Sequence, residues 1–311
     1  MKGKKYCLGI DGGGTKTEFV LTDENGVVLS RLLDVGTNPN DIGLEACLDR
    51  LKTGINKIVK GYSPSDIYIF AGISGAGVGE NAKILTEGLL TDYPSVLVDS
   101  DLVNALTVGL QGQDGLAVIC GTGISCSICK GATRKTVGGY GYLFEDGGSG
   151  YAYGRDAVKA VLCAADGFGE KTVLTDYFKE TYPNGVKREL GTLLLGGKSL
   201  IASFCPLVFQ GYEAGDTVCE KIIENNLAHT VALVKNALKI SESAQKTIAF
   251  VGGVTKDNVF RLRMQREFQD YTLIFSENKP IYGAVVKATT LAKIKIDETF
   301  EENFQKTIKG K

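Results

Sequence analysis

Two apolar segments that each enter a glycine-rich turn and leave it as a second apolar segment constrain the fold of this 311-residue chain most strongly. The first is YCLGIDGGGTKTEFVLT at residues 6–22, and the second is LAVICGTGISCSIC at residues 116–129. Apolar runs that flank turn residues in this way are typical of β-hairpins. The repeat therefore predicts two halves, each opened by a glycine-rich hairpin.

Strand and helix patterns alternate after each hairpin. In the first half VVLSRLL continues a three-strand meander, and the patterns that follow are a helix at 43–60, a strand at 67–73, a helix at 79–90, a strand at 96–98 and a helix from about 101. In the second half amphipathic helices are expected near 149–165, 198–212 and 216–240, then the strand TIAFVGGV, a final helix after Pro280 and a polar tail that forms an exposed helix or frays. This alternation predicts an α/β fold.

The domain boundary is expected near residue 115. The N-terminal domain then spans 1–115 and the C-terminal domain 116–311, with the last helix, from about 283, packing back on the first domain. No linker rich in proline or serine separates the halves, which favours two domains around a cleft.

Composition excludes several functional classes. The net charge is −1 and the cationic residues are scattered, so nucleic acid is not expected as a partner. No apolar run approaches the roughly 20 residues that span a membrane, and the N terminus has no signal-peptide core. We expect a cytoplasmic protein without a membrane partner.

The first turn has the composition of a phosphate-binding loop. Three successive glycines let the backbone approach an oligophosphate, and the hydroxyl and ammonium groups that follow add donors. The candidate phosphate ligands are Gly12, Gly13, Gly14, Thr15, Lys16 and Thr17, and Asp11 is the candidate Mg²⁺ ligand, acting through water. A hairpin without function also uses glycine, but three in succession exceed what a turn requires.

The second turn, Gly121-Thr122-Gly123, gains meaning only as the partner of the first. A third pair, Gly252-Gly253, ends an apolar strand and suits stacking under an adenine, although taken by itself it is better explained as a strand-to-helix turn. Two other patterns fail on spacing: GTLLLGGKS misses the P-loop by one residue and is expected to be a surface turn, and Gly75–Gly79 misses the dinucleotide motif.

A carboxylate is expected to act as the general base, because His229, the single histidine, lies in a helical pattern. Asp99 and Asp101 stand at the end of a predicted strand, where ligands collect in α/β sheets. We favour Asp101, with a helix N-cap as its alternative role. The Cys126–Cys129 pair lies in a strand pattern that points the two thiols to opposite faces, so reduced structural thiols are expected.

Six motifs in order resemble the N-acetylglucosamine kinase and BadF/BadG/BcrA/BcrD-type ATPase branch of the actin-like ATPase superfamily. They are IDGGGTKT, VDSDLVNAL, ICGTGISC, GGYGYLFEDGGSGY, FVGGV and PIYGAVVKA. The resemblance implies two actin-like (ribonuclease H-like) domains with a nucleotide cleft between them. It also implies ATP and Mg²⁺ as cofactors, and a homodimer.

The resemblance also assigns site residues. It makes Asp101 the base and Thr15 a phosphate ligand, and it implies the sugar-site residues Asn38, Ser74, Gly75, Thr122, Gly139, Tyr140 and Asp146. This chain departs from the motif GGWGxxxGDEGSxY: Tyr140 replaces tryptophan, Glu145 precedes Asp146, and Gly147 stands where the family has an acidic residue. These departures concern the choice of sugar.

The implied activity is the ATP-dependent phosphorylation of an amino sugar, N-acetylglucosamine to its 6-phosphate. Alternatives are a kinase for glucosamine or another hexose, an ATPase that activates a radical enzyme, and a sugar-sensing or scaffold protein without turnover. The activator would need a shared iron–sulfur cluster, for which the cysteines show no convincing arrangement.

Overall fold

The structure is a computed structural model that describes residues 4–110, 113–130, 133–241 and 246–311. The chain divides into two compact units: Met1–Gly112 together with Asn278–Lys311, and Gln113–Glu277. Each unit contains one five-stranded mixed sheet.

The first unit has the strand order β3-β2-β1-β4-β5. Strands β1 to β3 form an antiparallel meander, and β4 and β5 run parallel to β1. Its elements are β1 Tyr6–Gly12, β2 Lys16–Thr22, β3 Val28–Val35, α1 Pro39–Ile42, α2 Leu44–Ile58, β4 Ile67–Ile73, α3 Asn81–Leu90, β5 Val96–Ser100, α4 Asp101–Leu110, α11 Pro280–Leu291 and α12 Glu298–Ile308, with a short 3₁₀ helix at Pro64–Asp66.

The second unit repeats this topology with the order β10-β9-β6-β7-β8. Its meander is β6 to β8, and β9 and β10 are parallel to β6. Its elements are β6 Gly115–Cys120, β7 Ile124–Lys130, β8 Thr133–Gly138, α5 Gly150–Ala165, α6 Leu174–Thr181, α7 Leu190–Ala202, α8 Cys205–Glu213, α9 Thr217–Ser241, β9 Thr247–Val251, α10 Asn258–Glu267 and β10 Thr272–Phe275, with 3₁₀ helices at Val186–Glu189 and Val254–Lys256. The two predicted glycine-rich hairpins, β1–β2 and β6–β7, are confirmed.

Both faces of the first sheet are covered by helices. Alternation along β1 sends Leu8 and Ile10 into the cluster that includes residues of α2 and α3, and Cys7 into the cluster that includes residues of α4, α11 and α12. A Cβ at Gly9 would lie 2.5 Å from the backbone nitrogen of Val285, so α11 rests directly on the β1 backbone. This contact holds the C-terminal segment in the first unit.

The C-terminal tail is not frayed or merely exposed. Phe300 and Phe304, one helical turn apart on α12, are each only 2% exposed. The Thr307 hydroxyl accepts a hydrogen bond from the Val28 backbone at 2.9 Å. The expected helix is therefore confirmed, but its expected exposure was wrong, because the polar composition of the tail conceals this two-residue apolar stripe.

The second unit contains a helix break that differs from the sequence-based expectation. GTLLLGGKS is not a surface turn but part of α7, which breaks at Gly197, where φ is 62° and ψ is −164°. The helix expected at 198–212 is divided between the end of α7 and α8. Of the helices in the described ranges, none alone is long and apolar enough to cross a membrane, although the bent pair Val186–Ala202 and Cys205–Glu213 passes that test by length and composition.

We expect Phe300→Ala to lower the free energy of unfolding by about 3 to 5 kcal/mol, because it leaves a cavity under α12. Urea denaturation followed by circular dichroism measures the change. Glu302→Ala, at an exposed position of the same helix, is the control and should change stability little. Equal stability of the two variants would contradict the docking of α12.

Candidate active site

The register of three parallel strands brings the polar residues of the first unit to one end of the sheet. Asp11 on β1 pairs with Gly72 on β4, and Gly72 pairs with Asp99 on β5. Just beyond the ends of β4 and β5 come Ser74 and Asp101. Candidate residues from distant parts of the sequence therefore meet at the carboxyl end of the sheet, where α/β proteins bind ligands.

Asp101 is held by three donors. Its Oδ1 accepts hydrogen bonds from the Ser100 hydroxyl at 3.2 Å and from the Leu102 backbone at 3.0 Å. The Ser74 side chain also donates to this carboxylate. Burial nevertheless raises the pKa of Asp101 above its ordinary value, with the hydrogen bonds opposing that rise. A raised pKa suits a group that must accept a proton.

The geometry of Asp101 does not match an N-cap. A capping carboxylate accepts from a backbone group two or three residues further on, whereas Asp101 is the first residue of α4 and accepts from its immediate neighbour, Leu102. The Ser100 hydroxyl accepts from Leu102 at 3.3 Å and takes the capping position instead. Ser100, not Asp101, is therefore the N-cap of α4.

Asp11 lies close enough to Asp101 for the two carboxylates to interact. Burial chiefly raises the pKa of Asp11 to about 6, and the charge of Asp101 adds to the rise. The Asn104 amide opposes it by donating to Asp11 Oδ1 at 2.7 Å. Asn104 was not predicted as a site residue, although its position three residues after Asp101 on the same predicted helix was a usable signal.

The first glycine turn divides into an exposed part and a buried part. Thr15 and Lys16 are exposed, and the Gly13 backbone N–H closes the turn by donating to the Lys16 carbonyl at 2.9 Å. Thr17 is fully buried, and its hydroxyl donates to the Val35 carbonyl at 2.9 Å. The structure therefore places Thr17 in the interior of the unit, not at the surface of the turn.

Gly12 and Gly14 fulfil different requirements at this turn. A Cβ at Gly12 would overlap the hydroxyl of Thr37, so this position needs glycine for packing alone. Gly14 is exposed, and a Cβ there would lie 3.0 Å from the Asp41 carboxylate. The exposed backbone at Gly14, Thr15 and Lys16 is thus the part of the turn open to a ligand.

Asn38, Ser74 and Gly75 lie together. Gly75 has φ of 85°, and a Cβ there would overlap the Asn38 amide oxygen. That oxygen caps α1 by accepting from the Asn40 backbone at 3.0 Å. The Ser74 backbone N–H donates to the Gly12 carbonyl at 2.7 Å, which ties this loop to the glycine turn.

The carboxylates of the first unit fit a hydrated Mg²⁺ ion. Mg²⁺ prefers oxygen ligands and usually keeps several waters, so it needs only one or two carboxylates from the protein. Asp11 supplies hard oxygens in a partly buried setting, where the nearby negative charge of Asp101 disfavours its ionised form in the absence of a cation. Within the described ranges no cluster of three or more histidine, cysteine, aspartate or glutamate residues is placed to form a complete metal cage.

The glycine turn of the second unit lies against the start of α5. The Gly121 carbonyl accepts from the Gly150 backbone at 2.8 Å, and the Thr122 carbonyl accepts from the Tyr151 backbone at 3.2 Å. Ser149 caps the helix by accepting from the Ala152 backbone at 3.1 Å. The exposed Thr122 and Gly123 therefore stand beside a helix N terminus, where the helix dipole favours anions although the first three backbone N–H groups of α5 already donate to protein acceptors.

Gly252 follows β9 with φ of 126°, and a Cβ there would overlap the carbonyl of Cys120 at the end of β6. Only glycine combines that backbone angle with this close approach. Nothing occupies the space where a Cβ of Gly253 would stand. Within the second unit, Gly252 and Gly253 therefore lie next to the Gly121–Gly123 turn.

Residues 139–148 form a loop closed by a buried carboxylate. Glu145, only 7% exposed, accepts a hydrogen bond from the Tyr140 backbone at 2.6 Å, whereas the Tyr140 side chain is 70% exposed. Gly139 has φ of 77°. Asp146 is exposed, and its carbonyl accepts from Arg155 on α5 at 2.9 Å. The loop thus presents Tyr140 and Asp146 outward.

Gly147 stands where a side chain would be crowded. A Cβ there would lie 3.1 Å from the Cβ of His229 on α9, which is itself half-buried. The next residue, Gly148, donates its backbone N–H to the buried Asn226 amide at 2.8 Å. Helix α9 therefore holds the end of the loop in place. Gly147, which stands where the family motif has an acidic residue, lies in this closely packed region.

The thiols occupy structural positions. Cys126 is fully buried on β7, and Cys129, three residues along the same strand, is half-buried, so the odd spacing turns them to opposite faces of the sheet. Six of the eight cysteines are buried. Burial raises the pKa of Cys126 to about 12, which keeps this thiol protonated.

Comparison with known proteins identifies the family. The model described as the BadF/BadG/BcrA/BcrD ATPase family matches residues 8–288. The chain belongs to this family. The family resemblance inferred from the six motifs is confirmed.

Two curated relatives extend along most of the chain. An N-acetylmuramic acid/N-acetylglucosamine kinase of Clostridium acetobutylicum is 28% identical over 91% of this chain and 98% of its own length. An N-acetyl-D-glucosamine kinase of Dictyostelium discoideum is 29% identical over 80% of this chain and 85% of its own. Both relatives carry the names of sugar kinases.

Solved structures show the same fold. A candidate N-acetylglucosamine kinase from Chromobacterium violaceum aligns with a TM-score of 0.72 at 19% identity, covering 91% of this chain and 99% of its own. A ROK family glucokinase from Streptomyces griseus, in complex with glucose and AMPPNP, aligns with a TM-score of 0.57 at 18% identity, covering 94% and 99%. The predicted actin-like α/β fold is confirmed.

The raised pKa of Asp11 predicts a pH-dependent stability without Mg²⁺. An acid whose pKa is higher in the folded state stabilises the protein below its unfolded pKa, near 4, and this contribution is lost as the pH rises through about 6. Asp11→Asn cannot ionise and keeps an acceptor for Asn104. We expect it to exceed the wild type in free energy of unfolding by about 1 to 3 kcal/mol at pH 8 and by little at pH 4.

Urea denaturation in EDTA buffers from pH 4 to 8 measures the difference. The control is Glu24→Gln, which neutralises an exposed carboxylate outside the site. A stability difference between Asp11→Asn and the wild type that does not vary with pH would show that Asp11 ionises normally.

Proposed function

We propose that this protein is an ATP-dependent kinase that phosphorylates an amino sugar, N-acetylglucosamine to its 6-phosphate. The observation that carries the proposal is the half-buried Asp101 carboxylate, held by Ser74, Ser100 and Leu102 beside Asp11. This arrangement suits proton removal from a hydroxyl next to a phosphate-binding turn. The two full-length kinase relatives support the choice of sugar.

Asp101 is proposed to take the proton of the attacking hydroxyl. The Ser100 hydroxyl and the Leu102 backbone hold its Oδ1, and the carboxylate is the acceptor that the hydroxyl would meet. Because burial makes the ionised form less favourable, proton acceptance by Asp101 is easier than for an exposed carboxylate. Asn38, Ser74 and Gly75, gathered beside it, are proposed to position the sugar.

Charge on the transferring phosphoryl group is proposed to be stabilised by the exposed amides of Gly14, Thr15 and Lys16 and by the Lys16 ammonium. Asp11 would hold Mg²⁺ through water, and the ion supplies neutralisation of phosphate charge when it is bound. In the second unit the proposed phosphate ligands are Thr122 and Gly123, supported by the N terminus of α5.

The remaining assignments follow from the resemblance. Gly252 and Gly253 are proposed to contact the adenosine, and Gly139, Tyr140 and Asp146 to contact the sugar. A glucosamine kinase of Vibrio cholerae is 25% identical over 72% of this chain and 77% of its own, so glucosamine is the second substrate to test. A homodimer in the cytoplasm, without nucleic acid or membrane partners, completes the proposal.

The first prediction for this function concerns Asp101→Asn, which keeps size and polarity but cannot accept the proton. We expect kcat for N-acetylglucosamine to fall by roughly 10² to 10⁴ with the Kd for ATP nearly unchanged. A coupled ADP-release assay and calorimetric titration of ATP measure the two quantities. Asp99→Asn is the matched comparison, and a larger loss of turnover there would transfer the base to Asp99.

The second prediction concerns Asp146→Ala, which removes a charged acceptor from the exposed loop. We expect the KM for sugar to rise at least tenfold with the Kd for ATP unchanged, since a hydrogen bond to a charged group contributes about 1.5 to 3 kcal/mol. The control is Asp270→Ala, an exposed carboxylate elsewhere in the same unit.

The assay is run with N-acetylglucosamine, glucosamine, N-acetylmannosamine and glucose. An unchanged sugar KM in Asp146→Ala would exclude this residue from the sugar site. If no hexose or hexosamine accelerates ADP release by the wild type, the kinase proposal fails and the activator ATPase becomes the better hypothesis.

A further inference from the structure

Asn104 is a buried amide in a space that a glycine of the neighbouring strand leaves open. The residue is fully buried on α4, one turn after Asp101. A Cβ at Gly72 on β4 would overlap the Asn104 amide, and a Cβ at Gly283 on α11 would overlap its backbone carbonyl. Strand β4 is thus shaped around this side chain, and α11 packs against the backbone of the same residue.

Only the nitrogen of the Asn104 amide has hydrogen-bond partners among the described residues. Its Nδ2 donates to Asp11 Oδ1 at 2.7 Å and lies near the carbonyl oxygens of Ile10 at 3.3 Å and Gly72 at 3.4 Å. Its Oδ1 is buried and has no hydrogen-bond partner among the described residues. Because a buried unpaired acceptor opposes folding, stability alone does not explain an amide at this position.

The contact with Asp11 is the shortest of the three and the only one to a side chain. The Asn104 Nδ2 that donates to Asp11 Oδ1 also lies 3.3 Å from the Ile10 carbonyl oxygen of β1. With Oδ1 held in this way, the direction of Oδ2 is fixed as well, because the two oxygens share one planar group. An apolar residue of similar size would fill the same space without fixing Asp11.

We propose that Asn104 is a positioning residue that orients Asp11 toward the hydrated cation of the bound nucleotide. This inference rests on the proposed function and adds a residue that the motif resemblance does not assign. It also means that one face of α4 carries both Asp101 and the group that aims Asp11. A shift of this helix would therefore disturb proton acceptance and cation binding together.

The test compares Asn104→Leu with the wild type in calorimetric titrations of ADP with and without Mg²⁺. We expect the gain in ADP affinity due to Mg²⁺ to fall at least tenfold in the variant, the usual size of an outer-shell effect, while the affinity without Mg²⁺ stays within twofold. In turnover assays the Mg²⁺ concentration for half-maximal rate should rise by a similar factor, with the KM for sugar within twofold.

Thr289→Val is the matched control, because Thr289 is also fully buried in the first unit and its hydroxyl donates to the Val285 carbonyl of its own helix, at 2.8 Å, away from Asp11. This variant should keep the full Mg²⁺ gain. Asn104→Ala serves as the second variant if Asn104→Leu does not fold.

A folded Asn104 variant with the full Mg²⁺ gain, or with equal losses of ADP affinity in both buffers, would overturn the inference. So would a wild type whose ADP affinity does not depend on Mg²⁺. A wild type that shows the Mg²⁺ gain but phosphorylates no sugar would instead overturn the proposed function and leave the role of Asn104 standing.

Discussion

The parallel pairing of β1, β4 and β5 is the constraint on which the site of the first unit depends. It aligns Asp11, Gly72 and Asp99 across three strands, and so brings Ser74 and Asp101 to the same end of the sheet. The pairing is maintained by helices on both faces, with α11 lying directly on β1 at Gly9. A shift of one residue in either pair would turn these side chains to the opposite face.

The same end of the sheet collects negative charge. Asp11 and Asp101 each lose hydration on burial, and the charge of Asp101 further raises the pKa of Asp11. Such a pair destabilises the folded chain when no cation is bound, and the same repulsion favours a divalent ion. The site thus keeps two neighbouring carboxylates whose burial is unfavourable for folding, as functional sites often do.

The hairpins, the alternation of strand and helix and the family could be predicted from the sequence, because local patterns and six ordered motifs carry them. Thr17 and Gly12 could not be separated from the exposed part of their turn, since their burial depends on Thr37 and Val35, which follow in the chain. Asn104 was missed because its partner, Asp11, lies 93 residues away. The helix break at Gly197 was not predicted, because the apolar residues of GTLLLGGKS do not follow the spacing of an amphipathic helix. The catalytic and binding roles stay predictions.

The most direct test of the central claim, phosphoryl transfer from ATP to a sugar 6-hydroxyl, is ³¹P NMR of the wild-type reaction with ATP, Mg²⁺ and N-acetylglucosamine. A 6-phosphate bears two neighbouring methylene protons, so the account predicts a new phosphomonoester triplet in the proton-coupled spectrum that grows with ADP. Release of inorganic phosphate with ADP, and no phosphomonoester signal, would contradict it.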